Sequence, residues 1–347
     1  MKDVALSRRL PVWGGFVVTA IFMYFAVRDA HFGEVADALA ESNYIWLLPA
    51  FVVLALSIFL RAVRWRLMFS TETRPALGVV TRALLVGYLF NNILPARAGE
   101  AVRVQMLRQW ARTSRAEAAG TVVIERAYDV LSLLVLLFVV LPWLPEVTWL
   151  RPAAALAVGL AVTLAVTMLV LTIYGDRPIR FAFRPLSRLP FLSSARVEQV
   201  AVGVVHGLAA VRRPGLALTT FVLTTVSWLV MAISFWLVML AFELELSPLA
   251  GLFVLVAIGL SMILPSSPAA FGVFEAAAVV ALRAYGVGSS LALSYALVLH
   301  ALNFFPYLVA GGLALRPPAL AVLASRSSRR AERDSKQRST TIHPGGS

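Results

Sequence analysis

The chain has 347 residues, of which 60% are hydrophobic and 14% are charged, with no Cys and a formal net charge of +13. Apolar runs long enough to cross a hydrocarbon core of ~30 Å recur along it, so the composition predicts a polytopic α-helical membrane protein. The missing Cys excludes disulfides and thiolate metal sites, and Arg clusters between apolar runs indicate cytoplasmic loops rather than a nucleic-acid partner.

The first two predicted spans cover residues 11–27 and 44–60. No small-x-small cleavage site follows the first, which predicts an uncleaved span rather than a signal peptide. The segment after the first span is acidic, whereas the segment after the second carries Arg61, Arg64, Arg66, Arg74 and Arg82. This Arg bias predicts that the second loop, and with it the N-terminus, lies in the cytoplasm.

The next apolar run, residues 77–94, poses a conflict. A full crossing would place a further Arg-rich segment outside, against the charge rule. The conflict disappears if 77–112 forms a re-entrant hairpin of two part-helices that meet at residues 94–99, which is tolerated where the non-helical backbone lines a wet cavity or is buried in protein. A second hairpin is predicted at 250–286, entering from the opposite side and breaking at 265–272. The competing interpretation makes both breaks kinks in full crossings.

The remaining full spans are predicted at residues 127–144, 151–174, 216–241 and 289–314. The basic connection 175–215 and the basic, disordered tail 316–347 are expected on the cytoplasmic side, where they attract anionic lipid; the alternative for the tail is a solvated segment without a specific partner. Each half therefore contains, in chain order, two spans, one hairpin and one further span, and the two halves have opposite orientations in the membrane. The predicted fold is therefore an all-α inverted-repeat bundle of about six full spans plus two re-entrant helical hairpins, with one domain at 1–315 and pseudo-repeats at about 11–145 and 150–315. Broken helices at matching positions indicate a transporter with a site near mid-membrane.

The first break offers an anion site. Pro95 and Gly99 act as hinges, and the second part-helix begins near Gly99 with its free N–H groups at membrane depth. Arg97 and Arg103 are able to bind a phosphate in bidentate fashion, and Glu100 lies one turn from each. The further candidates here are Asn92, Glu125, Arg126 and Asp129, the last three at the start of the fourth span. The alternatives are a charge-compensated hairpin without a ligand and a helix cap at headgroup level.

The second break supplies hydroxyls and one carboxylate. Its candidate binding residues are Ser266, Ser267 and Glu275, and its hinges are Pro265, Pro268 and Gly272. A Glu among apolar neighbours at membrane depth is either protonated or paired; a pair with Arg97 or Arg103 would form a gate between the repeats. In the last span His300 and Asn303 share a helix face, where they either bind a ligand or only pack.

These elements carry a family resemblance. At Asn92–Glu100 with Arg103, at Glu125–Asp129, and at Leu264–Pro268 with Gly272–Glu275, the chain resembles the lysylphosphatidylglycerol synthase transmembrane region family. That family is the flippase-like membrane domain of bacterial phosphatidylglycerol lysyltransferases and also occurs as stand-alone proteins. The resemblance covers about residues 11–315. The chain departs from the expected pattern at Ala269–Ala270, where a glycine pair is expected. The resemblance does not extend to the soluble aminoacyltransferase domain. It implies the lipid-translocating half.

The expected function is a lipid flippase of the inner membrane, with both termini cytoplasmic, which binds the anionic headgroup of a phospholipid or polyprenyl-linked lipid between the hairpins. No catalytic triad, phosphate loop or metal motif is visible, so neither enzymatic activity nor a cofactor is expected. The alternatives are a secondary transporter of a small anion and a membrane-embedded transferase or subunit of an envelope-biosynthesis complex, for which Glu125 and Asp129 are the candidate carboxylates. The sequence leaves the lipid, its energy source and the oligomeric state open.

Overall fold

The computed structural model describes residues 2–95, 97–111, 113–145, 150–174, 177–178, 181, 213–263 and 266–316. Within them the predicted all-α class is confirmed, because only helices, turns and loops occur. The principal helices are α1 (Lys2–Val27), α2 (Phe32–Glu41), α3 (Leu47–Leu67), α4 (Leu77–Ile93), α5 (Gly99–Ala111), α6 (Arg115–Val140), α7 (Leu150–Tyr174), α8 (Pro214–Ala241), α9 (Pro248–Ser261), α10 (Val273–Arg283) and α11 (Ser289–Leu315).

Several described helices fit a membrane by length and composition. Three are long and apolar enough to cross on their own, namely Tyr44–Leu67, Pro214–Ala241 and Ser289–Leu315, and the pair Gly14–Val27 and Phe32–Glu41, bent by 78°, would make a fourth. Shorter apolar helices occur at Leu77–Ile93, Leu156–Leu171 and Pro248–Ser261. The count of six full spans and two re-entrant hairpins stays a prediction.

Two predicted boundaries are wrong in a way that matters for the site. The second span was expected to end at residue 60, but α3 continues to Leu67, so Arg61 and Arg64 are helical and not part of a loop. The fourth span was expected to start near residue 127, but α6 begins at Arg115, which places Glu125 and Asp129 well inside the helix. The predicted basic tail lies outside the described residues apart from residue 316, as does most of the predicted connection 175–215.

The first break folds the chain back on itself. Helix α4 ends at Ile93 and α5 begins at Gly99, close to the predicted break. A Cβ at Gly99 would collide with the Gly87 carbonyl oxygen and with Asn91, so the two helices touch backbone to backbone. Because Gly87 in turn lies against Arg103, the contacts run antiparallel along α4 and α5. The missing side chain at Gly99 is what allows this approach.

The second break also produces a reversal, but with a different backbone. Phe253 near the start of α9 lies 6.1 Å, ring to ring, from Tyr285 just after α10, so these helices are antiparallel as well. Between them Ala269, Ala270 and Gly272 have φ of 56°, 60° and 80°. A left-handed Ala costs roughly 1–2 kcal/mol. Glycine, which the resemblance led us to expect at these two positions, would avoid this cost.

Helices of the first predicted repeat pack against helices of the second. Helix α3 packs antiparallel on α8, where the Ser57 hydroxyl donates to the Ser227 carbonyl oxygen (3.0 Å). Helix α4 packs on α11, and α9 packs on α6, through close contacts at Gly311 and Gly259. In the predicted repeats α3 corresponds to α8, α4 to α9 and α6 to α11. Two equivalent repeats are expected to pack in this reciprocal way, with the third element of each repeat against the last helix of the other. Small residues allow the close helix contacts that are typical of membrane proteins.

We predict that Gly272→Ala destabilises the protein much more than Gly286→Ala does. Both glycines have φ of +80°, so the backbone penalty is the same. A Cβ at Gly272 would lie 2.6 Å from the Thr19 carbonyl oxygen of α1, whereas one at Gly286 would meet nothing within 4 Å. The extra cost at Gly272 is expected to be about 1–3 kcal/mol. Thermal unfolding in detergent measures this difference, and equal shifts for the two variants would show that α1 does not press on the second break.

Candidate functional site

The two breaks meet at one cavity of about 440 Å³. Helices α3, α4, α6, α8, α9 and α11 contribute to its walls. One part of the wall is charged, with Arg61, Arg97, Glu100, Arg126 and Asp129. Another part of the wall is polar and carries amide, hydroxyl and imidazole groups, from Asn91, Asn92, Ser266, Ser267, His300 and Asn303. The cavity size suits a small polar group rather than a water channel.

Arg64 anchors the charged side of the cavity from beneath. Its side chain is fully buried, and its Nη2 and Nη1 atoms lie 2.8 Å from Glu125 Oε1 and 2.7 Å from Asp129 Oδ1. Nη1 also donates to the Thr224 hydroxyl at 3.0 Å. A buried guanidinium is tolerated only when carboxylates neutralise it. Arg64 thereby ties α3 to α6 and α8.

Arg103 belongs to the same buried network and does not line the cavity. Its Nη1 atom lies 3.1 Å from Glu125 Oε2, and its guanidinium sits 4.5 Å above the Trp65 ring. The structure places Arg103 and Glu125 behind the cavity wall, and their predicted role in headgroup binding stays a prediction. Both side chains are only 3% exposed, because Glu125 faces Arg64 and Arg103 across the α3–α5–α6 junction.

Arg126 carries the network into the cavity. Its Nε atom lies 2.7 Å from Glu100 Oε1, and its Nη1 atom donates to Asp129 Oδ2 at 3.2 Å. Arg97, at the first break with φ of 53°, approaches the same Glu100 oxygen at 3.9 Å. Glu100 was expected to pair with Arg97 or Arg103; it contacts Arg97 loosely and Arg126 closely. The first break is therefore held to α6 by an ion pair that a competing anion is able to reach.

Arg61 is the cation of this cavity that lacks a carboxylate partner. Among the described residues, no carboxylate oxygen lies within 4.0 Å of a guanidinium nitrogen of Arg61, the limit for an ion pair. Its guanidinium instead lies 4.0 Å above the Trp228 ring, and Nη2 approaches the Met231 sulfur at 3.4 Å. The aromatic face holds the group in place without forming an ion pair with it.

Glu275 and His300 form a separate pair at the second break. His300 Nδ1 lies 2.5 Å from Glu275 Oε1, and Glu275 Oε2 accepts a hydrogen bond from the Gly272 backbone N–H at 2.7 Å. The carboxylate therefore caps α10, with the Phe274 ring stacked on the imidazole at 4.5 Å. The gate with Arg97 or Arg103 that the sequence left open is not observed, because His300 occupies that side of the carboxylate.

The structure thus brings most of the predicted residues together. Those that line the cavity are Asn92, Arg97, Glu100, Arg126, Asp129, Ser266, Ser267, His300 and Asn303. Arg103, Glu125 and Glu275 lie behind its surface. Of the hinges, Pro95, Gly99, Pro268 and Gly272 lie at the breaks as predicted, and Pro265 lies outside the described residues. In the described part of the chain no group of three or more His, Asp or Glu side chains is arranged to hold a metal.

Sequence reasoning missed Arg61, Arg64, Trp228 and the pair Tyr88–Tyr307, whose rings are 4.8 Å apart at the cavity wall. Arg61 and Arg64 were grouped with the loop arginines. The available signal was their i,i+3 spacing beside Trp65, which continues the helical period of the preceding apolar run. The aromatic residues carry no such signal, because single rings in apolar helices usually only pack.

Comparison with known proteins agrees with these features. The family model described as "Lysylphosphatidylglycerol synthase TM region" matches residues 12–311. That range includes both breaks, the α6 carboxylates and His300. No solved structure gives a significant match.

Three curated relatives extend the comparison. Glycosyltransferase AglD of Haloferax volcanii is 28% identical over 88% of this chain, and the chain spans only 54% of that protein. A UPF0104 membrane protein of Methanocaldococcus jannaschii is 24% identical over 64% of the chain and 91% of its own length. Another UPF0104 membrane protein, from Methanothermobacter thermautotrophicus, is 24% identical over 79% of the chain and 85% of its own length.

We predict that Arg64→Met destabilises the protein by about 3–5 kcal/mol, because it leaves Glu125 and Asp129 buried without their shared partner. The double variant Arg64→Met/Glu125→Gln is expected to recover little of this loss, because Glu125→Gln leaves the buried Arg103 without its carboxylate partner. The exposed pair of Arg283 with Asp29 provides the control, and Arg283→Gln should cost less than about 1 kcal/mol. Unfolding in detergent measures all three; a loss below about 1 kcal/mol for Arg64→Met would show that the buried ion pairs do not stabilise the fold.

Proposed function

The chain belongs to the lysylphosphatidylglycerol synthase transmembrane region family, and we propose that it is a lipid flippase or related lipid transporter of the inner membrane. In this proposal the cavity between the two breaks binds an anionic lipid headgroup, and the protein itself catalyses no reaction. The lipid is a phospholipid or a polyprenyl-linked lipid, whose tails stay in the bilayer while the headgroup passes.

The observation that carries the proposal is an excess of positive charge at the cavity. At the first break five guanidinium groups (Arg61, Arg64, Arg97, Arg103 and Arg126) face three carboxylates (Glu100, Glu125 and Asp129), which leaves two positive charges in excess there, and one over the whole cavity when Glu275 is ionised. An uncompensated charge at membrane depth is expensive. A bound phosphate neutralises this excess, and guanidinium groups match its oxygens in bidentate geometry.

Three arginines are positioned to make the contact. Arg61, Arg97 and Arg126 border the cavity, whereas Arg103, which the sequence favoured, is buried behind it. Arg61 is available without breaking any ion pair. Arg97 and Arg126 share Glu100, so an incoming anion competes with Glu100 for them. Binding is thereby linked to release of the first break from α6.

The wall of the cavity favours a lipid over a small free anion. Ile263 lines the cavity and is 55% exposed, which fits a cavity that opens toward the outer apolar surface at the second break. The neighbouring Phe271 and Ile93 are also exposed, at 45% and 52%. An apolar mouth at membrane depth admits acyl or prenyl chains next to the polar headgroup. A sealed polar cavity would be expected for a transporter of a small anion.

A second candidate is the membrane part of a glycosyl-transfer system. It is favoured by one observation, the relative AglD, which carries the name glycosyltransferase. Because this chain spans about half of that protein, the shared half is consistent with handling a lipid-linked sugar rather than with the transfer itself. Liposomes without any donor substrate separate the two: lipid movement between leaflets supports the transporter, and group transfer only on adding a donor supports the enzyme.

We predict that the purified full chain in liposomes moves fluorescent phosphatidylglycerol between leaflets, and that Arg61→Gln slows this at least about tenfold. Losing one charged hydrogen-bond donor to phosphate is worth about 1.5–3 kcal/mol. Arg61 has no carboxylate partner to leave orphaned, so the fold should persist in this variant.

The matched control is Arg283→Gln, an arginine removed from the surface pair with Asp29 and remote from the cavity; its rate should equal that of the wild type. Leaflet movement is read from quenching of the outer-leaflet dye. Wild-type protein that moves no lipid, or Arg61→Gln that moves it as fast as wild type, would contradict the proposal.

A further inference from the structure

We infer that the Glu275–His300 pair is a proton-binding site whose occupancy is coupled to binding of the anionic headgroup. The inference rests on the proposed function and adds to it a source of energy. It makes the protein a proton-coupled lipid transporter, in which a proton enters the cavity together with the anion.

The hydrogen bonds at Glu275 identify where the proton binds. Oε2 accepts from the Gly272 N–H at 2.7 Å, and Oε1 lies 2.5 Å from His300 Nδ1. A carboxylate with both oxygens engaged in this way needs a donor at Nδ1, so the neutral imidazole carries its hydrogen there. The remaining lone pair is on Nε2, for which no hydrogen-bond partner exists among the described residues. His300 borders the cavity, which gives that nitrogen access to protons.

Several other titratable groups lie on the helices that pack around the pair. Of the described side chains on helices packed against α10 and α11, α1 offers Tyr24, α2 offers Glu34, Asp37 and Glu41, α4 offers Arg82 and Tyr88, α8 and α9 offer none, and α11 itself offers Tyr295, His300 and Tyr307. On α10 itself the other charge is Arg283, which pairs with Asp29 at the far end. Across the cavity stand the charged groups already described: Arg61, Arg97, Glu100, Arg126 and Asp129.

The charge balance links the proton to the anion. With neutral His300 and ionised Glu275 the pair has a net charge of −1, which opposes an anion in the same cavity. A proton on Nε2 makes the pair neutral while leaving both hydrogen bonds of Glu275 intact. The anion therefore binds more tightly to the protonated protein, and by thermodynamic reciprocity anion binding draws a proton in. Buried His and carboxylate groups serve as proton relays in other pumps and transporters.

A singly charged headgroup that travels with one proton moves no net charge. The membrane potential then does not oppose its passage, and a proton gradient is able to drive it. Phe271 and Phe274, with ring centroids 4.8 Å and 4.5 Å from that of His300, limit other routes by which the proton could leave. Release of the headgroup on the other side lowers the proton affinity of the pair and frees the proton there.

Proton uptake on lipid binding tests the inference directly. Detergent-solubilised full chain is mixed with phosphatidylglycerol, whose phosphodiester stays singly charged from about pH 8 to about pH 6, in weakly buffered solution with a pH indicator. We expect uptake of up to one proton per lipid bound, and an affinity that rises by up to about tenfold per pH unit as the pH falls.

In His300→Gln, which keeps a donor for Glu275, both the uptake and the pH dependence should disappear while lipid still binds. Glu275→Gln, which keeps an acceptor for Gly272, is a second variant with the same expectation. The matched control is His31→Gln, which removes an exposed histidine beside Glu34 and should behave like wild type.

The outcomes separate the two proposals. Lipid binding by wild type without proton uptake overturns the inference and leaves the transporter intact. Uptake that persists undiminished in both His300→Gln and Glu275→Gln overturns it as well. If wild type binds no anionic lipid, the proposed function and this inference fall together. The wild-type measurement decides the first and last cases without depending on how any variant folds.

Discussion

The buried guanidinium of Arg64 is the interaction on which the arrangement of the cavity depends. It lies where α3, α6 and α8 meet, and it holds Glu125 and Asp129 at 2.8 Å and 2.7 Å. Because a charge at this depth is stable only when neutralised nearby, the pair distances determine how α6 sits against α3. Asp129 in turn orients Arg126 toward the cavity. Residues that never touch a ligand thus position the residue that would.

At both breaks, residues with positive φ lie beside a carboxylate that holds the start of the returning helix. We call this carboxylate contact a clasp. Arg97 at the first break and Ala269, Ala270 and Gly272 at the second have positive φ. Left-handed residues other than glycine persist only when their surroundings over-determine them, and such residues cluster at functional sites. At the first break Glu100 reaches Arg126, and at the second Glu275 caps Gly272. Each clasp is a carboxylate in the first turn of the returning helix, which is the feature that the two repeats share.

Much of the fold was readable from the sequence because helix breakers and charge bias are strong signals in an apolar chain. Pro95 with Gly99, and Pro268 with Gly272, mark reversals that the structure places within a few residues of the expected positions. Side-chain partners were not readable. The i,i+3 rule suggested Glu100 with Arg103, but α5 turns Arg103 toward Trp65 and Glu125 on other helices. Local spacing determines which residues share a face, whereas tertiary packing decides what that face meets.

The two clasps differ in the ligand to which each would respond, an anion at the first break and a proton at the second. The first is an ion pair in which Arg126 and Arg97 share Glu100, so a phosphate weakens it by competing for the guanidinium groups. The second is a capped carboxylate held by His300, in which the groups bound to Glu275 are an imidazole and a backbone N–H. An anion gains nothing by displacing those donors while the carboxylate stays ionised, whereas a proton on His300 Nε2 changes the charge of the pair and leaves both hydrogen bonds of Glu275 in place. In our proposal the first break responds to the headgroup and the second to protons, and the two responses influence each other through the shared cavity.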